Sequence, residues 1–185
     1  MSGPSRLRLL YLSHFSQPAI DRPVYRAIRQ RPVTKIVELG IGDCRRTLRM
    51  LEVAGIHRPP AEICYAGIDL FETRKPGDGP QLTLKRAFQL LRVTGARIRL
   101  IPGDPFTALS RVANLLGATD LLVISADQDP DSLAKAWYFV PRMLHAHSRV
   151  FWAEAIGVDG GGHLRQVGLR EINQLVSEVR HSRAA

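Results

Sequence analysis

Residues 35–48, "KIVELGIGDCRRTL", determine the first structural unit of this protein and the fold that follows from it. An apolar run, KIVEL, leads directly into two glycines, at positions 40 and 42, and a stretch with helical spacing follows. A buried strand, a tight glycine turn and a helix together are typical of the first unit of an α/β sheet. The turn itself has two interpretations, because it can bind a nucleotide-like ligand or only connect the strand tightly to the helix.

The rest of the chain repeats this alternation of apolar strands and amphipathic helices. Strands are predicted at 62–70, 97–103, 119–126 and 149–155, and helices near 44–54, 82–94, 130–144 and 168–181, with another after residue 103. The pattern predicts an α/β fold, a three-layer sandwich whose mainly parallel sheet of about five strands is flanked by helices. An additional amino-terminal strand is possible. After residue 155 we expect no clear terminal hairpin, only a loop and one helix.

At 185 residues the chain fits one domain, which we expect to span 1–185. Residues 1–33 are predicted to form a helical lid or cap, and 34–155 the ligand-binding core. Residues 156–185 are predicted to form a loop and the carboxy-terminal helix.

The net charge is +9, and most of the excess lies near the amino terminus, since residues 1–58 hold eleven Lys and Arg against four acids. Such a surface can attract RNA or another polyanion through counterion release. No pattern of aromatic residues interleaved with these charges strengthens that interpretation, so a solvated basic face is the commoner explanation.

Composition also predicts the compartment. No apolar run approaches the ~20 residues that cross a bilayer, and the start shows no signal peptide, so no membrane partner is expected. Two cysteines, Cys44 and Cys64, lack metal-binding spacing and are interpreted as small core residues of a cytoplasmic protein.

Acidic residues stand at or next to the ends of the predicted strands: Glu38, Asp69, Asp104, Asp127 and Glu154. In a parallel α/β sheet these ends meet at one edge, where ligands bind. Asp104 has an equally good alternative role, because an Asp followed by Pro105 is a standard helix start. The series as a whole is harder to explain by helix starts.

The spacing within this series favours a nucleotide-like ligand. Gly40 and Gly42 allow a bound molecule to approach the backbone closely. Asp69, at the end of the second strand, suits hydrogen bonds to two ribose hydroxyls. The acid after the third strand, Asp104, can accept a hydrogen bond from an adenine amino group.

With these residues the sequence resembles the class I S-adenosylmethionine-dependent methyltransferases, in particular their small-molecule O-methyltransferase branch. The resemblance lies in "VELGIGDC", "YAGIDLFE", "RLIPGDPFTAL" and "TDLLVISADQDPDSLAKAWYFVPRML", and covers roughly residues 33 to 155. It implies S-adenosylmethionine as the cofactor. It also implies the cofactor-binding residues Glu38, Gly40, Gly42, Asp69, Asp104 and Asp127.

The sequence differs from the dinucleotide-binding turn and from the metal-dependent members of the resembled family, and these differences reduce the number of candidate functions. Arg45 stands where a dinucleotide-binding G-x-G-x-x-G turn needs its third glycine. Ser125 and Ala155 stand where the metal-dependent members of the family have ligands, so no metal residue is assigned and transfer is expected to be metal-independent. No catalytic residue is assigned either, and the candidates are His14, as a general base, and Asp127.

The resulting prediction is a methyltransferase-like protein whose acceptor is a small molecule or RNA. The alternative is a non-catalytic binding protein with the methyltransferase fold, for which RNA is the candidate partner. The expected loss of the terminal hairpin favours the alternative, or a homodimer in which a second subunit completes the pocket.

Overall fold

The computed structural model describes residues 5–75, 81–156 and 161–184. Six strands form one sheet in the order β3-β2-β1-β4-β5-β6. They are β1 (Lys35–Leu39), β2 (Cys64–Asp69), β3 (Arg97–Pro102), β4 (Thr119–Ile124), β5 (Leu144–Ile156) and β6 (Gly161–Val167). The first five strands pair in parallel and β6 is antiparallel to β5, so the predicted mainly parallel α/β sheet is confirmed.

Helices cover both faces of the sheet. They are α1 (Arg6–His14), α2 (Arg22–Gln30), α3 (Arg45–Ala54), α4 (Leu84–Arg92), α5 (Pro105–Val112), α6 (Pro130–Ala136) and α7 (Leu169–Ala184). Two clusters of buried side chains pack on the two faces of the sheet. On one face the cluster includes residues of helices α1, α2, α3 and α4, and on the other it includes residues of α5, α6 and α7. Neighbouring strand residues point to opposite faces, so Ile36 packs in the first cluster and Val37 in the second.

The expectation that only a loop and one helix follow residue 155 is wrong, because a sixth strand, β6, lies antiparallel to β5. No further strand follows β6 among the described residues. Strand β6 pairs with β5 from Val150 opposite Val167 to Ile156 opposite Gly161. The sequence hid this strand because Leu164 and Val167, three positions apart, are its buried side chains, which breaks a two-residue period. Pairing with a long neighbouring strand compensates for this weak local pattern. No additional amino-terminal strand is present among residues 5–34, which form helices and short connections.

The predicted helix over 130–144 is divided in the structure. Helix α6 ends at Ala136, and a 3-10 helix containing Pro141 continues to Arg142. Proline lacks the amide hydrogen that a longer α-helix would need, which agrees with the predicted break. Strand β5 consequently begins at Leu144, so His145 and His147 lie in its first residues rather than before it.

Both cysteines are free thiols, and Cys44 is buried while Cys64 is partly exposed. Within the described part of the chain, none of the helices has both the length and the hydropathy of a membrane span.

Candidate functional site

The glycine turn joins β1 to α3 through left-handed backbone. Gly40 has φ of 81° and Gly42 has φ of 56°, a region that glycine enters at little cost. Cys44, which replaces the third glycine of the resembled signature, also has a positive φ, 66°. A non-glycine residue adopts this conformation rarely, so the turn geometry is kept although the glycine is not.

Asp69 lies at the carboxyl end of β2 and holds this turn. Its Oδ2 accepts hydrogen bonds from the backbone N–H groups of Ile41 at 2.8 Å and Gly42 at 3.3 Å. Its Oδ1 accepts one from Arg74 at 2.6 Å and a longer one from the Phe71 N–H at 3.4 Å. The sequence therefore placed Asp69 correctly beside the glycines, but its carboxylate, which is 5% exposed, is already fully engaged.

Arg74 bridges two of the predicted carboxylates across the carboxyl edge of the sheet. Its Nη2 donates to Asp69 and its Nη1 donates to Asp127 at 3.0 Å. The Arg74 side chain is only 5% exposed. Arg74 was not predicted as a site residue, because nothing in the spacing of a loop arginine five positions after Asp69 indicates where its side chain points.

The space between these carboxylates, which we call the crevice, is small. It is lined by Asp69, Leu70, Arg74, Asp104, Pro105, Asp127, Gln128 and Asp129, and its volume is about 30 Å³. That volume holds one or two water molecules. The Gln128 side chain also covers the turn, since a Cβ on Gly40 would lie 2.3 Å from its Nε2. A nucleoside therefore enters only if the side chains of Arg74 and Gln128 move.

Glu38 is fully buried beneath the turn and bonded to three side chains. Its carboxylate accepts from Arg46 Nε at 2.7 Å, Thr47 Oγ1 at 2.6 Å and Tyr65 Oη at 2.6 Å. Burial and the Glu38 charge raise the pKa of the Tyr65 phenol well above its usual value, so the phenol stays a donor. Arg46 also donates to the Gly40 carbonyl at 3.0 Å. Glu38 thus anchors the start of α3 to the glycine turn, and its role as a cofactor ligand stays a prediction.

Asp104 caps the start of α5, which agrees with the prediction that Asp104 followed by Pro105 begins a helix. Its Oδ1 accepts from the Thr107 N–H at 3.0 Å and from the Ser132 hydroxyl. Burial acts to raise the pKa of Asp104, but these hydrogen bonds prevail and lower it to about 2. The capping carboxylate also lines the crevice, so an adenine contact stays a prediction alongside the capping role.

We expect Asp104→Ala to lower the free energy of unfolding at pH 7 by about 1 kcal/mol, the usual value of a lost helix cap. The folded pKa lies below the unfolded value of about 3.9, so this stabilisation is present above pH 4. It declines as the pH falls from about 4 towards 2. Urea denaturation at pH 7 and pH 2.5 measures both values. Asp131→Ala, which removes an exposed acid, is the control, and an Asp104→Ala effect of equal size at both pH values would contradict this account.

The remaining candidates lie apart from one another. His14 ends α1 at an exposed position and forms no hydrogen bond with the crevice residues. Ser125 donates to the Gly40 carbonyl at 2.8 Å, and Glu154 is paired with Arg165 at 2.8 Å. Among the described residues no group of three or more His, Cys, Asp or Glu could hold a metal ion.

The basic amino-terminal third is partly neutralised within the fold. Arg8 pairs with Glu52 at 3.0 Å and Arg46 with Glu38 at 2.7 Å. Arg22 donates to the Ser16 carbonyl at 2.9 Å, whereas Arg26 and Arg29 are exposed on α2. These pairs use acids that the sequence count had already set against the basic residues, so the excess of positive charge in this third of the chain is unchanged.

Solved structures similar to this chain include methyltransferases. The chain aligns over 96% of its length with a precorrin-6y C5,15-methyltransferase of Geobacter metallireducens, covering 75% of that chain, at TM-score 0.55 and 12% identity. An O-methyltransferase family protein of Burkholderia thailandensis aligns over 93% of this chain and 52% of its own, at TM-score 0.53 and 12% identity. The chain has the class I methyltransferase fold.

A third structure of this fold was solved with S-adenosyl-L-homocysteine. It is described as a protein-L-isoaspartate O-methyltransferase of Plasmodium falciparum, and aligns over 82% of this chain and 66% of its own, at TM-score 0.51 and 14% identity. The chain therefore spans between half and three quarters of the length of these methyltransferases. No family model and no curated protein sequence matches it. At such low identity the likeness establishes the fold, and the activity has to be argued from the residues.

Proposed function

We propose that this protein binds S-adenosylmethionine at the crevice and transfers its methyl group to a small molecule or an RNA. The observation that carries the proposal is the position of Asp69 against the N–H groups of the Ile41–Gly42 turn, on adjacent strand ends of a methyltransferase fold. A carboxylate in this position can accept hydrogen bonds from ribose hydroxyls once another donor leaves it. Gly42 faces open space on the same turn, since a Cβ there would meet nothing within 4 Å.

The residues fit the cofactor in their chemistry, but the crevice has to open first. Asp69 would hold the ribose, Asp104 would accept from the adenine amino group, and the backbone at Gly40 and Gly42 would allow close approach. The side chains that fill part of this space are those of Gln128, which covers Gly40, and of Arg74, which is paired with Asp69. When bound, the cofactor supplies an electrophilic methyl group, and the contribution of the chain is to position the acceptor.

We propose that the transfer is independent of metal. Asp127 is paired with Arg74, and Ser125 offers a neutral hydroxyl that donates to the Gly40 carbonyl. A magnesium ion demands several oxygen ligands in octahedral geometry and releases its water reluctantly. These two residues do not provide that set.

A non-catalytic protein of the same fold is the second candidate, and the closed crevice favours it. Every oxygen of the Asp69 carboxylate is engaged, and the crevice volume is about 30 Å³. A protein that no longer uses the cofactor could keep these internal bonds as structure. Association with RNA would then rest on exposed cations such as Arg26 and Arg29.

Calorimetry with S-adenosylhomocysteine tests the proposal. We expect one site per chain and at least a tenfold loss of affinity in Asp69→Asn, while Asp43→Asn, an exposed acid of the same turn, binds like the wild type. Circular dichroism verifies that the Asp69 variant folds. Methyl incorporation into small-molecule and RNA pools, with Mg²⁺ and with chelator, then tests transfer, which should survive chelation. Binding without transfer would contradict the transfer step and keep cofactor binding. No binding by the wild type or by Arg74→Ala overturns the proposal and supports the second candidate.

A further inference from the structure

A second cavity lies at the opposite end of the sheet from the crevice. It has a volume of about 370 Å³ and is bounded by the first residues of three strands and by the segment after α5. We call it the basic hollow, and define it by Lys35, Cys64, Ala66, Arg97, Arg99 and Leu115. Because the crevice lies at the carboxyl ends of the same strands, the two sites are separated by a strand length of roughly 17–20 Å.

Strand register brings the cations of the basic hollow onto one face. Lys35 of β1, Cys64 of β2 and Arg97 of β3 are paired in one row, and Ala66 is paired with Arg99 in the row of alternate residues. Alternate residues point to the same side, so all of these side chains face the layer of α5. Arg97 and Arg99 start about 7 Å apart, and Lys35 lies about 10 Å across the sheet from Arg97.

The hollow exists because the helix layer does not cover the end of the edge strand. Helix α5 has eight residues and is followed by a short 3-10 helix ending at Leu116. Along β3, Ile101 is buried under this layer, whereas Arg97 and Arg99 are exposed. Sheets of parallel strands are normally covered on both faces, so this uncovered end is unusual.

The charge of the basic hollow is positive and not balanced within it. No carboxylate is among its lining residues. Lys35 Nζ donates to the Gly117 carbonyl at 2.5 Å, and neither Arg97 nor Arg99 forms a hydrogen bond or ion pair with the described residues. Two guanidinium groups at this separation repel each other, and both have the planar donor geometry that binds phosphate in a bidentate manner. The cluster is therefore suited to an oxyanion.

The floor and wall of the hollow are apolar. Cys64 and Ala66 form the floor, and Leu115 forms the wall with 65% of its surface exposed. An exposed leucine alone is ordinary, but here it lines the same cavity as the cations. A ligand that fills the hollow would pair its charge with the arginines and cover Leu115 with an apolar group.

We propose that the basic hollow binds a small amphipathic anion, a phosphate monoester that carries a short apolar group. This chemistry occurs in soluble alkyl phosphomonoesters and in phosphatidic acid, a lipid whose phosphomonoester headgroup is joined to apolar chains. The site shares no residue with the crevice, so it stands independently of methyl transfer.

Calorimetry with hexyl phosphate and inorganic phosphate tests the ligand chemistry. Hexyl phosphate should bind more tightly than inorganic phosphate, and Arg97→Ala combined with Arg99→Ala should weaken both at least tenfold. Leu115→Ser should weaken hexyl phosphate and leave inorganic phosphate unchanged. Arg92→Ala is the matched control, because it removes an exposed arginine from α4 on the other face of the sheet.

The rate of alkylation of Cys64 measures whether a ligand occupies the basic hollow. Cys64 lines the basic hollow, whereas Cys44 is buried. Burial together with nearby carboxylates raises the pKa of the Cys44 thiol to about 12. Iodoacetamide should therefore modify Cys64 first, and hexyl phosphate should slow that reaction at least threefold in the wild type but not in the double arginine variant.

Vesicles separate the two sources of the ligand. Sedimentation with phosphatidic acid vesicles, but not with phosphatidylcholine vesicles, assigns the hollow to a lipid headgroup if the double arginine variant stays in solution. Binding of hexyl phosphate without sedimentation assigns it to a soluble phosphomonoester. Equal affinity of the wild type and the double variant for hexyl phosphate, with no protection of Cys64, would overturn the proposal.

Discussion

Arg74→Ala should raise the affinity for S-adenosylhomocysteine by about ten- to a hundredfold. In the structure, a ligand that uses Asp69 must first displace the guanidinium from its 2.6 Å contact with that carboxylate. A hydrogen bond to a charged group contributes about 1.5–3 kcal/mol, and each 1.4 kcal/mol is a tenfold change in affinity. Removing Arg74 also leaves Asp69 and Asp127 without their shared cation, which further favours a ligand that donates hydrogen bonds.

Calorimetry on the wild type, Arg74→Ala and Lys75→Ala measures this effect. Lys75→Ala removes the adjacent exposed cation and should bind like the wild type. Arg74→Ala should also lower the melting temperature of the unliganded protein, because the two carboxylates lose their common partner. Equal affinity of Arg74→Ala and a wild type that does bind would show that Arg74 does not limit access, and would leave the proposed function intact.

Glu38→Gln should be the most destabilising of the substitutions considered, lowering the free energy of unfolding by about 3 kcal/mol. Glu38 is fully buried and Arg46 is 15% exposed, so the substitution leaves a guanidinium without its main counter-charge in a site of low polarity. Breaking one side of a buried ion pair typically costs about 3–5 kcal/mol. The remaining acid near Arg46, Asp21 at 3.7 Å, offsets part of this loss.

Urea denaturation of Glu38→Gln and of Glu52→Gln tests the prediction. Glu52 pairs with Arg8 on the surface, where an ion pair contributes about 0–1 kcal/mol, so its loss should be small. A loss below 1 kcal/mol in Glu38→Gln would refute the structural role given to the buried pair. Calorimetry of the folded Glu38→Gln variant with S-adenosylhomocysteine then separates that role from a direct contact with the cofactor.

The sheet and the edge that carries the candidate site could be predicted from the residues alone. Apolar strands that alternate with amphipathic helices can bury their faces only in a layered α/β arrangement. The residue pattern that identifies these strands and helices is local, so it can be recognised in the sequence. Parallel strands bring their carboxyl ends to one edge, so the placement of Asp69 beside Gly40 and Gly42 followed from strand order alone. The capping role of Asp104 was likewise local, since it depends on Pro105 and Thr107.

The side chains that fill the candidate site were not predictable in this way, because their contacts exist only in the folded chain. The contact of Arg74 with Asp127 joins residues 53 positions apart, and the Gln128 side chain covers a glycine 88 positions before it. Strand β6 is stabilised by its hydrogen-bonded pairing with β5, although the alternation of apolar and polar residues in its own sequence is weak. Side-chain pairing of this kind depends on distances across the folded sheet, whereas sequence periodicity reports only which face of an element is buried.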